Sequence, residues 1–354
     1  PKRFLGNIIT DSPTAPAGPY DDGAASGVWS LAEALSYTKG GLWPIPGNSQ
    51  RGIIYHGQAS NGSTSDKGNT DTIEYISISS TGNATDFGNL SASTHGQSAL
   101  ASLTRAVSVG GDGNIGTSME YVTIASTGNT TDFGDTGGVV YSGAFASSTR
   151  GVFNASYRGS AVVNIIEYIT TASTGDSTDF GDLSVTRAYN GGVSSSTRGI
   201  FIGGATDTGN SSISNVLDYV TIASTGNATD FGNLLSATTN LTGCGSSTRG
   251  ITGGGQTGGS GTEIDVMQYV TIASTGNATD FGNLTQARAQ TVACVSSSTR
   301  ATFNGGSNAA GNTRYNIIDY VTIASTGNAS DYGDLGAYTA HSTGTSNDHG
   351  GIAA

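Results

Sequence analysis

Hydrophobic side chains in this chain come in short runs separated by polar, Gly-rich stretches. Runs such as RGIFIGG, IDVMQYVTIAS and TDFGNL alternate, with β-branched and aromatic residues on both sides of the alternation. Bounded by clusters of Gly, Ser, Thr and Asn, such runs predict strands. Apolar residues on both faces predict sheets sandwiched between other sheets.

The runs recur. The tyrosine of YVTIASTGNATDFG falls at Tyr75, Tyr121, Tyr168, Tyr219, Tyr269 and Tyr320, 46 to 51 residues apart. An arginine that in most copies opens T-R-G precedes each one, at Arg51, Arg105, Arg150, Arg198, Arg249 and Arg300. A period of about 40 to 50 residues with a strand-like core is the signature of propeller blades. The prediction is therefore an all-β, six-bladed β-propeller over residues 50–354 with four strands per blade. ARAQTVACVSSS, RGITGGG, IDVMQYVTIAS and TDFGNL are one such set.

The phase of the repeat predicts how the ring closes. The chain enters at a second strand, RGIIYHG, and residues 338–354 supply one more strand. That strand is expected to complete the blade begun at Arg51, which leaves no open edge.

Strand order also sorts the loops. In a four-stranded meander the first and third loops share one face, and these are the constant SSSTR-like and STGN-like segments. The second loop, from DGNIGTS (112–118) to QASNGSTSDKGNTDT (58–72), varies in length and sequence, as do the inter-blade segments SASTHGQS, TGGVVYSG and LSATTNLT. Variation therefore collects on one face, the expected recognition surface. Tyr157 in a second loop, with Tyr141 and Tyr189 in inter-blade segments, are the candidate contacts, because aromatic side chains bring large area at low entropic cost.

All six prolines and both tryptophans lie before residue 50, which sets off residues 1–49. Lys2 to Asp22 reads as an extended strap, and SLAEALSYTKGG as one short helix capped by Ser30 and Glu33. Nine residues are too few for an isolated helix. The segment is expected to dock on something through Trp29, Leu31, Leu35 and Trp43.

The repeats resemble the kelch family across residues 51–354. The glycine pairs after the second strand (Gly203 and Gly204, Gly253 and Gly254, Gly305 and Gly306), the following tyrosine and TDFGNL carry the resemblance, with Phe where that family usually has Trp. The repeat wording YVTIASTGNATDFGNL…SSSTRGIFIGG resembles kelch-like proteins of marine tailed phages that infect cyanobacteria. FLGNIITDSPTAPAGPYDDGAASGVWSLAEALSYTKGGLWPIPGN is similar to the leader of structural proteins of those virions. The resemblance implies a virion component of a tail or other external appendage, in multi-copy symmetric assembly, with other virion proteins as partners through residues 1–49. It would be a non-enzymatic structural protein, exposed on an extracellular particle for attachment to a host surface glycan or receptor. A secreted or cell-surface, lectin-like adhesin is the alternative.

Charge and chemistry narrow the classes further. A formal net charge of −12 without a basic run argues against phosphate-driven nucleic-acid binding. No apolar stretch has the length of a membrane span. No metal, cofactor or catalytic residue is expected, since none of His56, His95, His341 and His349 forms a metal-spaced pair. Asp86, Asp132, Asp179, Asp230, Asp280 and Asp331 follow the STGN turns. They are read as turn residues or as partners of the repeated arginines, ahead of Ca²⁺ ligands. Asn83, Asn129, Asn227, Asn277 and Asn328 are read as turn residues ahead of glycosylation acceptors. Cys244 and Cys294 occupy one position in successive repeats and are read as small buried hydrophobes, not a disulfide.

Overall fold

The computed structural model describes Ser30, Ala32, Ser36 and residues 50–60, 68–113, 116–258, 261–290 and 292–352. The chain divides into two units, Pro1–Gln50 and Arg51–Ala354. In the first, Ala32 and Ser36 are helical, while Trp29, Leu31, Leu35 and Trp43 lie outside the described residues.

The second unit is all-β and propeller-like. Four separate four-stranded antiparallel sheets follow one another along the chain. Each is a meander, for example Gly191–Ser194, Arg198–Ile202, Val216–Thr221 and Thr229–Asn233. The expectation of six separate blades is thus met in part. The remaining long strands lie in one ten-stranded sheet among the described residues. Gln58–Ser60 causes the merger: it pairs with Gly68–Ser77 on one side and with Ser330–Ala340 on the other. In the same sheet Thr343–Ser346 pairs antiparallel with Arg51–Tyr55, Gly52 facing Ser346 and Tyr55 facing Thr343.

The apolar alternation buries both faces of each sheet. Along Val216–Thr221, Leu217 and Val220 are buried, and the core falls into clusters that each bridge two adjacent meanders. Phe145, Val152, Ile166 and Phe180 pack against Phe201, Val220 and Ile222 of the next sheet. Ile54, Ile76 and Ile78 pack in the same way against Val295, Ile318 and Tyr332, from opposite ends of the unit. Burying one such side chain stabilises by roughly 1.5–3 kcal/mol.

The repeated motif staples sheet to sheet. The STGN turn of one meander docks on the TDFG strand of the one before. Gly276 N–H donates to the Phe231 carbonyl at 2.8 Å, and Asn277 Oδ1 accepts from Asn233 N–H at 3.0 Å. A glycine is required at the facing position, because a Cβ on Gly232 would stand 2.3 Å from the Gly276 oxygen. Equivalent contacts include Gly82 N–H to the Tyr332 carbonyl at 3.0 Å and Asp334 N–H to Asn83 Oδ1 at 3.1 Å. The turn asparagines are therefore acceptors for the neighbouring sheet, which is more specific than the local turn role expected of them.

The repeated arginines are not paired with the repeated aspartates. Each guanidinium lies over the tyrosine of its own meander, from Arg150 over Tyr168 at 4.4 Å to Arg51 over Tyr75 at 4.6 Å. Each also donates to a carbonyl of the following meander: Arg150 to Ile222 at 2.9 Å, and Arg300 to Ile78 at 3.0 Å. The reason is register. Arg51 faces Ser77, which puts Tyr75 at the diagonal position on the same face. Asp86, Asp132, Asp179, Asp230, Asp280 and Asp331 are exposed.

Two further expectations are corrected. Cys244 and Cys294 form a disulfide. They lie on first strands of adjacent sheets, which converge on a shared central space, so equivalent positions approach with Cα atoms 5.9 Å apart. The glycine pair of the fifth repeat is Gly254–Gly255, with φ of 68° and 98°; Gly253 still belongs to the strand.

Candidate functional site

The first strands line one central space, walled by Leu100, Phe145, Val193, Cys244, Val295 and Thr345 among others. The chain itself forms the floor on the side of the SSSTR-like loops. Asn347 Oδ1 accepts from Arg51 N–H, and Asp348 Oδ2 accepts from Ser298 N–H. His349 Nε2 donates to the Ala101 carbonyl at 3.1 Å, while its Nδ1 accepts from Gly351 N–H. Gly350 donates to the Gly245 carbonyl at 3.0 Å. Gly351 passes so close to Ala146 that a Cβ would stand 1.6 Å from its oxygen. Five consecutive residues thus reach four different first or second strands and, at Ser298, one of the SSSTR-like loops. Sequence reading saw one more strand here and missed the floor. The signal was present: NDHGG departs from every repeat and ends in two glycines.

The opposite mouth is built by the residues that precede each first strand. Tyr141, Tyr189, Asn240, Gln290 and His341 all have φ between 55° and 59°, and Gly96 has φ 68°. Their backbones are linked in series. Tyr141 N–H donates to the Gly96 carbonyl, Tyr189 to Tyr141, Asn240 to Tyr189, His341 to Gln290 and Gly96 to His341. The linkage holds these residues in the left-handed region, which a bulky side chain adopts only when its surroundings enforce it.

The side chains divide the mouth into two halves. Tyr141 and Tyr189 stack with centroids 4.4 Å apart, and Tyr157 meets Tyr189 edge-on at 6.2 Å. His341 and His95 flank Tyr141 at 5.3 and 5.9 Å. The three tyrosines named from sequence are therefore brought together, although Tyr157 comes from a short hairpin strand, Tyr157–Arg158, and the others from inter-sheet segments. His95 and His341 were missed because only the fold brings them to the tyrosines. In the other half, Asn240 is buried, and Gln290 turns to Ser307 Oγ and the Ala309 carbonyl.

The mouth is neutral to acidic. Burial lowers the pKa of both histidines. For His95 the neighbouring Asp112, 3.7 Å away, opposes the shift; for His341, His95 and Arg314 add to it, bringing it to about 3. Burial raises the Tyr141 and Tyr189 hydroxyl pKa values, helped at Tyr141 by Asp112 and at Tyr189 by its hydrogen bond with Tyr157, so both hydroxyls keep their protons. Directly beneath runs a narrow polar shaft lined by Gln97, Ser98, Ser142, Asn190, Thr242 and Ser342. Gln97 donates to the His56 carbonyl, and its buried Oε1 finds no hydrogen-bond partner among the described residues.

Buried ion pairs underlie the same face. Arg187 and Asp218 meet at 2.6 Å, and Arg288 and Asp319 at 2.9 Å, all with fully buried side chains. They fix inter-sheet segments to third strands, a structural task. No cluster of three or more His, Cys, Asp or Glu among the described residues could hold a metal ion. Among the described residues no helix is long and apolar enough to cross a membrane. No protein-family model matches this chain, and no curated protein matches it.

Proposed function

We propose that Arg51–Ala354 is a closed, six-bladed, kelch-like propeller that works by recognition, without turnover. It would be a structural component of a phage virion, in a tail or other external appendage, with residues 1–49 docking on other virion proteins. Closure is supported by contacts that join the ends of the unit: Arg300 to Ile78, Tyr332 to Gly82, and Thr343–Ser346 beside Arg51–Tyr55. The virion reading rests on the resemblance of the leader and of the repeat wording.

One observation carries the recognition reading. Tyr141, Tyr157 and Tyr189 converge on the face where loops vary, while the opposite face repeats one set of staples. A host-surface glycan suits a mouth of aromatic rings and uncharged hydrogen-bonding groups. Mass spectrometry of purified particles tests the placement, together with particles assembled from a chain lacking residues 1–49. The protein is expected in wild-type particles and absent from those assembled with the truncated chain. Normal occupancy of the truncated chain would overturn the docking role.

A further inference from the structure

We infer that the aromatic half of the mouth binds the terminal unit of a neutral glycan. One sugar ring would lie on the Tyr141–Tyr189–Tyr157 cluster, with its hydroxyls held by His95 and His341. This deepens the recognition reading and rests on it.

The backbone supplies the first reason. Gly96 occupies one of the linked left-handed positions, and glycine would serve at every one of them without strain. The chain instead places two tyrosines and a histidine at three of these sites, close together. Strained bulky residues persist at ligand clamps, where the side chain's task outweighs the backbone cost. Because the hydrogen bonds that define the mouth come from main chain, its side chains can differ while the frame stays the same.

Chemistry supplies the second reason. Burial keeps His341 neutral at physiological pH, and it lowers His95 against the opposing Asp112. Arg314, the nearby guanidinium, donates to Gln58 Oε1 at 2.9 Å. Asp112 stands beside His95 and acts on both stacked tyrosines. An anionic ligand would meet acidic repulsion here. A neutral sugar offers an apolar face for the rings and hydroxyls for the imidazoles, and aromatic faces suit such ligands. The shaft is too narrow for a ring, so the sugar rests on the rim.

The test is calorimetric titration of the full chain with methyl glucoside, galactoside and mannoside, and with glucuronate as the anionic probe. At least one neutral glycoside should bind, and glucuronate should bind more weakly. Tyr189→Gly should melt at or above the wild-type temperature yet weaken binding by about tenfold or more. Gln290→Ala, on the same backbone frame but turned away, should change affinity by less than about threefold. Binding that survives both Tyr189→Gly and His341→Ala, or that favours glucuronate, would overturn the inference and leave recognition standing. So would the absence of binding at about 10 mM sugar by a chain that host-cell envelopes still retain. Loss of that retention as well would overturn both readings.

Discussion

Tyr141 and Tyr189, one repeat apart, are joined twice: their rings stack with centroids 4.4 Å apart, and the Tyr189 N–H donates to the Tyr141 carbonyl at 2.6 Å. The same pair of residues therefore contributes to the frame through main chain and to the binding face through side chain. The two roles can be separated by substitution.

The arginine–tyrosine stack should be a measurable part of the stability. Arg198→Ala removes the contact over Tyr219 at 4.4 Å and the hydrogen bond to the Ile272 carbonyl. A loss of about 1–2 kcal/mol is expected in denaturant unfolding. Arg198→Lys should recover only part of it, because an ammonium lacks the flat guanidinium. Full recovery by lysine would show that charge alone matters.

The buried pair makes a sharper case. Asp218→Asn leaves Arg187 charged, fully buried and without its counterion. The expected cost is about 3–5 kcal/mol. The double variant Arg187→Met/Asp218→Leu should regain most of it. A single variant as stable as wild type would mean that the pair is solvated in solution.

Acid should destabilise the propeller through its floor. His349 is partly buried, and this burial lowers its pKa to about 4 although its hydrogen bond to the Ala101 carbonyl opposes the shift. Above pH 6.5 both folded and unfolded chains are neutral at this site. Between pH 6.5 and about 4 the unfolded chain takes up a proton that the folded chain refuses, so stability falls as pH falls. The slope is about 1.4 kcal/mol per pH unit for one such histidine. His341, lowered to about 3, acts in the same direction. Unfolding midpoints from pH 7 to 4.5 check this, and His349→Gln should flatten the profile.

Reduction tests the cross-link. Cys244 and Cys294 close a loop with a sequence separation of 50, and losing such a link costs about 2–4 kcal/mol. Denaturant unfolding with and without reductant should differ by that amount. Identical curves would place the two thiols back among the small buried residues that the repeat pattern first suggested.

That contrast marks what the sequence could carry. Strand pattern was legible because TDFGNL and YVTIAS repeat with the burial of a sheet covered on both faces. Loop order put the three tyrosines on the variable face, and the fold alone gathers them. The arginine's partner was misread because sharing a face does not specify contact; hairpin register does, and it puts Tyr75 diagonal to Arg51. The disulfide was misread because equivalent residues point alike in a stack yet converge where first strands meet. His95 and His341 carry no spacing signal, since the fold alone unites residues so far apart in the chain.

The most direct test of the account is glycan-array binding by the full chain and by a Tyr141→Ala/Tyr157→Ala/Tyr189→Ala variant, with an unchanged far-ultraviolet dichroism spectrum as proof of folding. The account predicts wild-type signal on neutral glycans that the folded triple variant loses. Equal signal from both chains would contradict it and move recognition away from the mouth.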